Sequence, residues 1–225
     1  DGTRAAIAGL ASDYIDNSPI MGIEAVAVHI ADKWFLSKTL QWPYPETYPL
    51  LYTYAEFNRQ SLVGRPAPAL VLENEWGQKI DLRGNDGIGI IYFYDSQCAT
   101  CAKETPLLTS LLNGYDGSEG ITLYAVCTQS DRASWESYRR EHFDRIANPR
   151  VIVHNLWDPE GESSFHLKYG VLSTPMMLMT DRDHRISGRK LDAEALAVLL
   201  ERDGSFTARL FSLMDNLVEN VGCDT

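Results

Sequence analysis

Two rhythms of apolar residues divide this chain. In the first quarter the apolar positions recur every three or four residues, as they do along one face of a helix. The stretches 3–16 and 20–38 keep that step, the second through Ile23, Ala27, Ile30 and Trp34. Pro43, Pro45 and Pro49 interrupt it in "QWPYPETYPLLYTYAEFNRQ", which resumes as a short helix ending near Gln60. At "LVGRPAPAL", residues 62–70, the rhythm changes. Pro66 and Pro68 push their preceding residues out of the helical region, so an extended connector is expected.

After the connector, short apolar runs alternate with helical stretches. "ALVLENEWGQKIDL" reads as a hairpin turning at Gly77. "GIGIIYFYD" and "GITLYAVCT" are unbroken apolar, β-branched and aromatic runs, which suit strands buried on both faces. Each is followed by a helix. The first covers 99–113, with Leu107, Leu108, Leu111 and Leu112 on one side; the second is "SDRASWESYRREHF", capped by Ser130 or Asp131. A strand at "VIVH" and a helix through "GESSFHLKYG" come next. Strands at "PMMLMTD" and "HRISG", joined by "DRDH", then lead into a helix over 192–202. Strands alternating with helices predict parallel pairing, and the final hairpin adds antiparallel strands.

The predicted fold is therefore α/β: a mixed sheet flanked by helices and preceded by a small all-α region. It divides into a helical region over 1–63, the sheet domain over 64–204, and a C-terminal helix and tail over 205–225. That last helix is amphipathic, with Phe206, Leu210, Leu213 and Leu217 on one stripe.

Charge and composition narrow the function. A formal net charge of -11 argues against nucleic acid and anionic membrane surfaces as partners. No apolar run is long enough to span a membrane, and "DGTRAAIAGL" lacks the basic-then-apolar layout of a signal peptide. The aromatic-rich helical region needs a cover, which the rest of the chain or a protein partner would supply.

The candidate chemistry lies in "YDSQCATCAKETPLL", residues 94–108. It places Cys98 and Cys101 directly after a buried strand, at the opening of a helix. Unpaired N–H groups and the helix dipole stabilise negative charge at that end. Thiolate is the reactive form of cysteine, and such a position lowers its pKa. Cys98, at the tip, should be exposed and attack; Cys101, one turn in, should be shielded and resolve. A structural zinc site would need a second clip, yet Cys127 and Cys223 are solitary and no histidine pair has ligand spacing. No metal or cofactor is expected. Cys127 is read as a small core residue and Cys223 as a bystander near the end.

"CATCAKETPLL" resembles the thioredoxin superfamily, and within it the TlpA/ResA-like thiol-disulfide oxidoreductases of bacterial cell envelopes, with their AhpC/TSA–Redoxin-like domain. That group places Glu three positions and Pro five positions after the second cysteine, here Glu104 and Pro106. "YGVLSTPMMLMTDRDHRISG" resembles the group's second signature, in which the bond corresponding to Thr174–Pro175 is cis. The similarity spans about residues 65–203. Three positions depart from the common pattern: Gln97 replaces a tryptophan, Thr100 a proline, and Tyr92 the buried acid of thioredoxins.

The resemblance implies a thioredoxin-like fold and a thiol-disulfide oxidoreductase contributing to redox homeostasis, working as a reductant. Cys98 would attack a partner disulfide and Cys101 would release the reduced product. Glu104 would tune the cysteines and move a proton at Cys101. The Thr174 backbone beside Pro175 would bind an extended substrate segment, flanked by Gln97, and Pro106 would shape the active-site helix. Partners would be disulfide- or dithiol-containing proteins and an upstream thiol electron donor. The implied placement is the bacterial periplasm or outer envelope, with or without a lipid anchor, which requires a leader ahead of Asp1. Two alternatives stand beside it: a thioredoxin-fold binding protein with vestigial redox activity, and a thiol peroxidase. The peroxidase reading lacks the Pro and Thr that its motif needs before the cysteine.

Overall fold

The computed structural model of the protein describes residues 20–38, 46, 48–129, 131–158 and 160–201. The predicted helices at 3–16 and in the C-terminal tail, the alternative cap Ser130, Pro43, Pro45 and Cys223 lie outside the described residues.

Seven strands form one sheet in the order β2-β1-β5-β4-β3-β6-β7. They are β1 (Val71–Asn74), β2 (Lys79–Asp81), β3 (Ile88–Tyr94), β4 (Ile121–Cys127), β5 (Val151–Trp157), β6 (Met176–Thr180) and β7 (Ile186–Arg189). The two unbroken apolar runs became the central strands. β3 and β4 pair in parallel from Ile88↔Ile121 to Tyr94↔Cys127, and β5 joins β4 in parallel. β6 runs antiparallel to β3 and is followed by antiparallel β7. The sheet is mixed, as the alternation predicts. Its strand β5 runs through Trp157, beyond the expected "VIVH", because β4 and β1 both offer a ladder to its polar second half.

Alternation along β3 sorts its side chains between two cores. Ile91 and Phe93 join the cluster under α5 (Phe165–Tyr169), where Phe93 stacks on Phe165 with ring centroids 5.4 Å apart. Ile90, Tyr92 and Tyr94 face the opposite layer of α3 (Ala99–Gly114), α4 (Arg132–Glu141) and α6 (Ala193–Glu201). Asp131 caps α4 by accepting from the Ser134 N–H at 3.0 Å. The buried stripe of α3 is Cys101, Thr105, Leu108 and Leu112, whereas Leu107 is 58% exposed. The expected leucine face was therefore about one residue out of phase, because polar Thr105 occupies a core position.

The N-terminal helices show a similar phase error. α1 (Glu24–Ile30) continues through a π-helical turn, Ala31–Leu36, and packs on α2 (Tyr48–Arg59). Its buried line is Glu24, Val28, Ala31 and Phe35, while Ile23, Ala27, Ile30 and Trp34 are half-buried. A carboxylate heads the true stripe, so counting apolar residues missed it.

That carboxylate joins the helical region to the sheet. Glu24 Oε1 accepts from Arg189 Nη1 at 3.2 Å and lies 2.9 Å from Lys190 Nζ, and the Arg189 side chain is 1% exposed. Gly170 ends α5 at φ +66, where a Cβ would sit 2.3 Å from the Phe57 carbonyl of α2. The connector also binds the sheet's edge, with Gly64 N–H donating to Ile186 O at 2.7 Å and Ile186 N–H to Arg65 O at 2.9 Å.

Burial pushes the Glu24 carboxyl upward, but the hydrogen bond and charge of Lys190, with Arg189 behind it, hold it below its ordinary 4.5. The pair's stabilisation is therefore complete above that value and is lost as pH falls through the lower, folded one. Glu24→Leu leaves the Arg189 charge buried and unpaired, and should cost about 3–5 kcal/mol at neutral pH. In urea unfolding the midpoint should drop at constant slope, and the gap from wild type should narrow in acid.

Candidate active site

β3 delivers the chain to the reactive turn. Past Tyr94, the Asp95 carboxylate accepts from the Gln97 N–H at 2.7 Å and its carbonyl from the Cys98 N–H at 3.1 Å. This tight turn aims Cys98 into the N-cap position of α3, with φ -78 and ψ 122. Its Sγ accepts from the Cys101 N–H at 3.3 Å, as a serine or aspartate oxygen does in an ordinary cap.

Cys98 is partly exposed and Cys101 fully buried, and both are free thiols. Their acidities diverge accordingly. Burial pushes the Cys98 thiol up, but the N–H groups of Cys101 and Thr100 and the Cys101 and Thr174 side chains bring it below its ordinary value. Burial dominates at Cys101 and pushes it up to about 12, against the pull of the Asp95 N–H. The pair thus contains one accessible, acidified sulfur and one shielded, protonated sulfur.

The Thr174–Pro175 bond is cis. The Cys98 thiol donates to the Thr174 carbonyl across 3.3 Å, which brings the second motif against the first. Gln97 is exposed beside Cys98 on the same turn; Pro106 lies inside α3 on its exposed side. Glu104 accepts the Ala193 N–H at the start of α6. Asp192 caps the same helix, accepting from the Ala195 N–H at 2.7 Å. The structure therefore uses Glu104 to tie α3 to α6, a contact the spacing did not suggest. Cys127 pairs with Tyr94 across the sheet and is fully buried, where desolvation pushes its thiol up to about 11.

One part of the site escaped the sequence. Tyr92 and Tyr138 both reach the Thr105 hydroxyl, at 2.9 and 2.8 Å, and Tyr138 also reaches the Cys101 carbonyl at 3.1 Å. The available signal was Thr105, four residues after Cys101 and hence above it on the helix. Nothing in the sequence announces the arrival of Tyr138 from α4.

The profile of the AhpC/TSA family matches residues 63–189. A thiol-disulfide oxidoreductase named ResA, from Bacillus cereus, is 24% identical over 140 residues, covering 62% of this chain and 75% of that protein. Among solved structures, the thioredoxin domain of a thiol-disulfide oxidoreductase from Bacteroides vulgatus superposes with a TM-score of 0.51 at 22% identity. That match covers 62% of this chain and 95% of the domain. A thioredoxin-like protein from Bacteroides caccae gives 0.61 at 14% identity, covering 87% of this chain and 68% of its own, well beyond the family match.

The split between the two thiols has a direct readout. In the reduced native protein, iodoacetamide should modify Cys98 with a pH midpoint below the ordinary thiol value of about 8.5. Cys101 should stay unmodified over the same range, as peptide mapping by mass spectrometry would show. Equal labelling of both would contradict the assigned asymmetry.

Proposed function

The chain belongs to the AhpC/TSA family, and from that premise we propose that it exchanges disulfides with partner proteins through Cys98 and Cys101. The observation that carries this reading is the accessible sulfur held at a helix N-terminus over its shielded neighbour. Thiolate at Cys98 attacks one sulfur of a partner disulfide. A bond forms between Cys98 and the partner, and the other partner sulfur leaves as thiolate and takes up a proton. Cys101 then gives up its proton and attacks Cys98, and the second partner sulfur leaves. Two electrons have passed to the partner, and the protein holds a Cys98–Cys101 disulfide.

In this reading the Thr174 backbone, already in contact with Cys98, receives the extended segment that carries the partner's disulfide. Gln97 lines the approach. Glu104 handles the proton at Cys101 from its place between α3 and α6, and Pro106 shapes the helix that carries both. The protein acts as a reductant and is recharged by a thiol electron donor. We place it outside the cytoplasm, in the periplasm or outer envelope, in keeping with its similarity to ResA proteins. Among the described residues no helix is long and apolar enough to cross a membrane. Among the described residues, Leu50 and Tyr52 on α2 are 71% and 56% exposed, and in this reading they are among the apolar contacts offered to a partner.

Prereduced protein should catalyse reduction of insulin disulfides, and Cys98→Ser should bring the rate to the uncatalysed background. Equal turnover by both would remove the proposal. Cys101→Ala should instead accumulate mixed disulfides, visible as high-mass bands on nonreducing gels that disappear with reductant.

A further inference from the structure

Three hydroxyls fill the space behind the shielded cysteine. Tyr92 comes from β3, Thr105 from α3 and Tyr138 from α4, and all are buried. Their contacts run Tyr92 to Thr105 at 2.9 Å, Thr105 to Tyr138 at 2.8 Å, and Tyr138 to the Cys101 carbonyl oxygen at 3.1 Å. Each hydroxyl has one proton to give, and a carbonyl can only accept. The Tyr138 hydroxyl is placed to donate to both the Cys101 carbonyl and the Thr105 hydroxyl, dividing its proton between them, and either partner can donate between Tyr92 and Thr105.

We propose that this cluster of buried hydroxyls fixes the turn of α3 that carries Cys101, and so sets how readily Cys101 resolves a mixed disulfide on Cys98. Tyr138 and Thr105 are then positioning residues, acting through the backbone of the resolving cysteine. The inference rests on the reading of Cys98 and Cys101 as an exchange couple.

The turn needs an outside brace. It lies at the start of the helix, where N–H groups have no partner one turn back. Pro106 brings no N–H, so the Ala102 carbonyl also loses its helical donor. Tyr138 gives the neighbouring Cys101 carbonyl a bond from another element, anchored through Thr105 to the central strand. Sulfur attack on a disulfide depends steeply on placement, because the reacting atoms must already be close and aligned.

The cluster does not act as a base. The charged and titratable groups that act on Cys101 or on the two tyrosines include Cys98, Cys101 itself, Glu104 beside Tyr92 and Glu141 beside Tyr138. Burial pushes Tyr138 up to about 12 and Tyr92 higher still, so both keep their protons throughout the working range. Thioredoxins hold a buried carboxylate where this chain has Tyr92; here that place serves geometry.

The test separates the two chemical steps. In a Cys101→Ala background, attack of Cys98 on a model disulfide should proceed at the same rate with Tyr138 or with Tyr138→Phe. With Cys101 present, rapid-quench measurement should show the resolving step slowed about tenfold by Tyr138→Phe. The intramolecular disulfide should weaken by the same factor against glutathione, which corresponds to about 30 mV. Thr105→Val should slow resolution and Thr105→Ser should restore it, since only the hydroxyl differs in kind. Tyr92→Phe, at the far end of the cluster, should have the smallest effect, and it keeps the test open should Tyr138→Phe fail to fold. Resolution unchanged in Tyr138→Phe and Thr105→Val would overturn the proposal, as would equal slowing of both steps. Full exchange activity in Cys98→Ser would instead sink the reading on which it rests.

Discussion

The reactive end of this molecule depends on a sulfur standing where helices usually place an oxygen. The opening N–H groups of α3 have no acceptors within the helix, and Cys98 Sγ takes the one from Cys101. That contact holds the nucleophile at the positive end of the dipole, where its anion is favoured. It also ties the two cysteines into one turn, the first facing outward and the second inward. A serine could cap the helix equally well, but it could not exchange bonds with its neighbour. Capping and chemistry thus constrain the same atom, and the buried strand β3 is what brings it there.

Much of this was legible in the sequence because the central strands admit little else. Seven consecutive buried positions in β4 leave a composition that reads as a strand without help from context. The Cys98–Cys101 spacing and the Thr174–Pro175 pair were legible for the same reason, since each is local. What failed was phase. Thr105 and Glu24 are polar residues on buried stripes, and each shifted the apparent face of its helix. Their burial is made tolerable by partners far away in sequence: Tyr138 for one, Arg189 for the other. A periodicity count sees only one element at a time, so a polar core position satisfied by another element looks like surface.

The same long-range contacts explain how the N-terminal helices relate to the site. Arg189 binds Glu24 on one side and approaches the Tyr169 carbonyl at 3.5 Å on the other. The next residue, Gly170, lies so close to Phe57 that no side chain fits. The segment leaving this clamp is Val171–Thr174, and its last carbonyl faces Cys98. The helical region therefore braces the strap that faces the nucleophile and is not simply tethered ahead of the sheet.

The remaining question is how a thiol held as firmly as Cys101 becomes a nucleophile. Burial is the largest force keeping its proton, and Cys98 adds to it through both its hydrogen bond and its charge. The Cys98 contribution disappears when that sulfur bonds to a partner, because a disulfide carries no charge. The Asp95 N–H and the Thr174 side chain, which favour the Cys101 anion, remain. Formation of the mixed disulfide thus shifts the balance at Cys101 toward release of its proton. This electrostatic sequence agrees with the proposed order of attack, in which the outer sulfur is the anion first and its consumption favours release of the proton from the inner one.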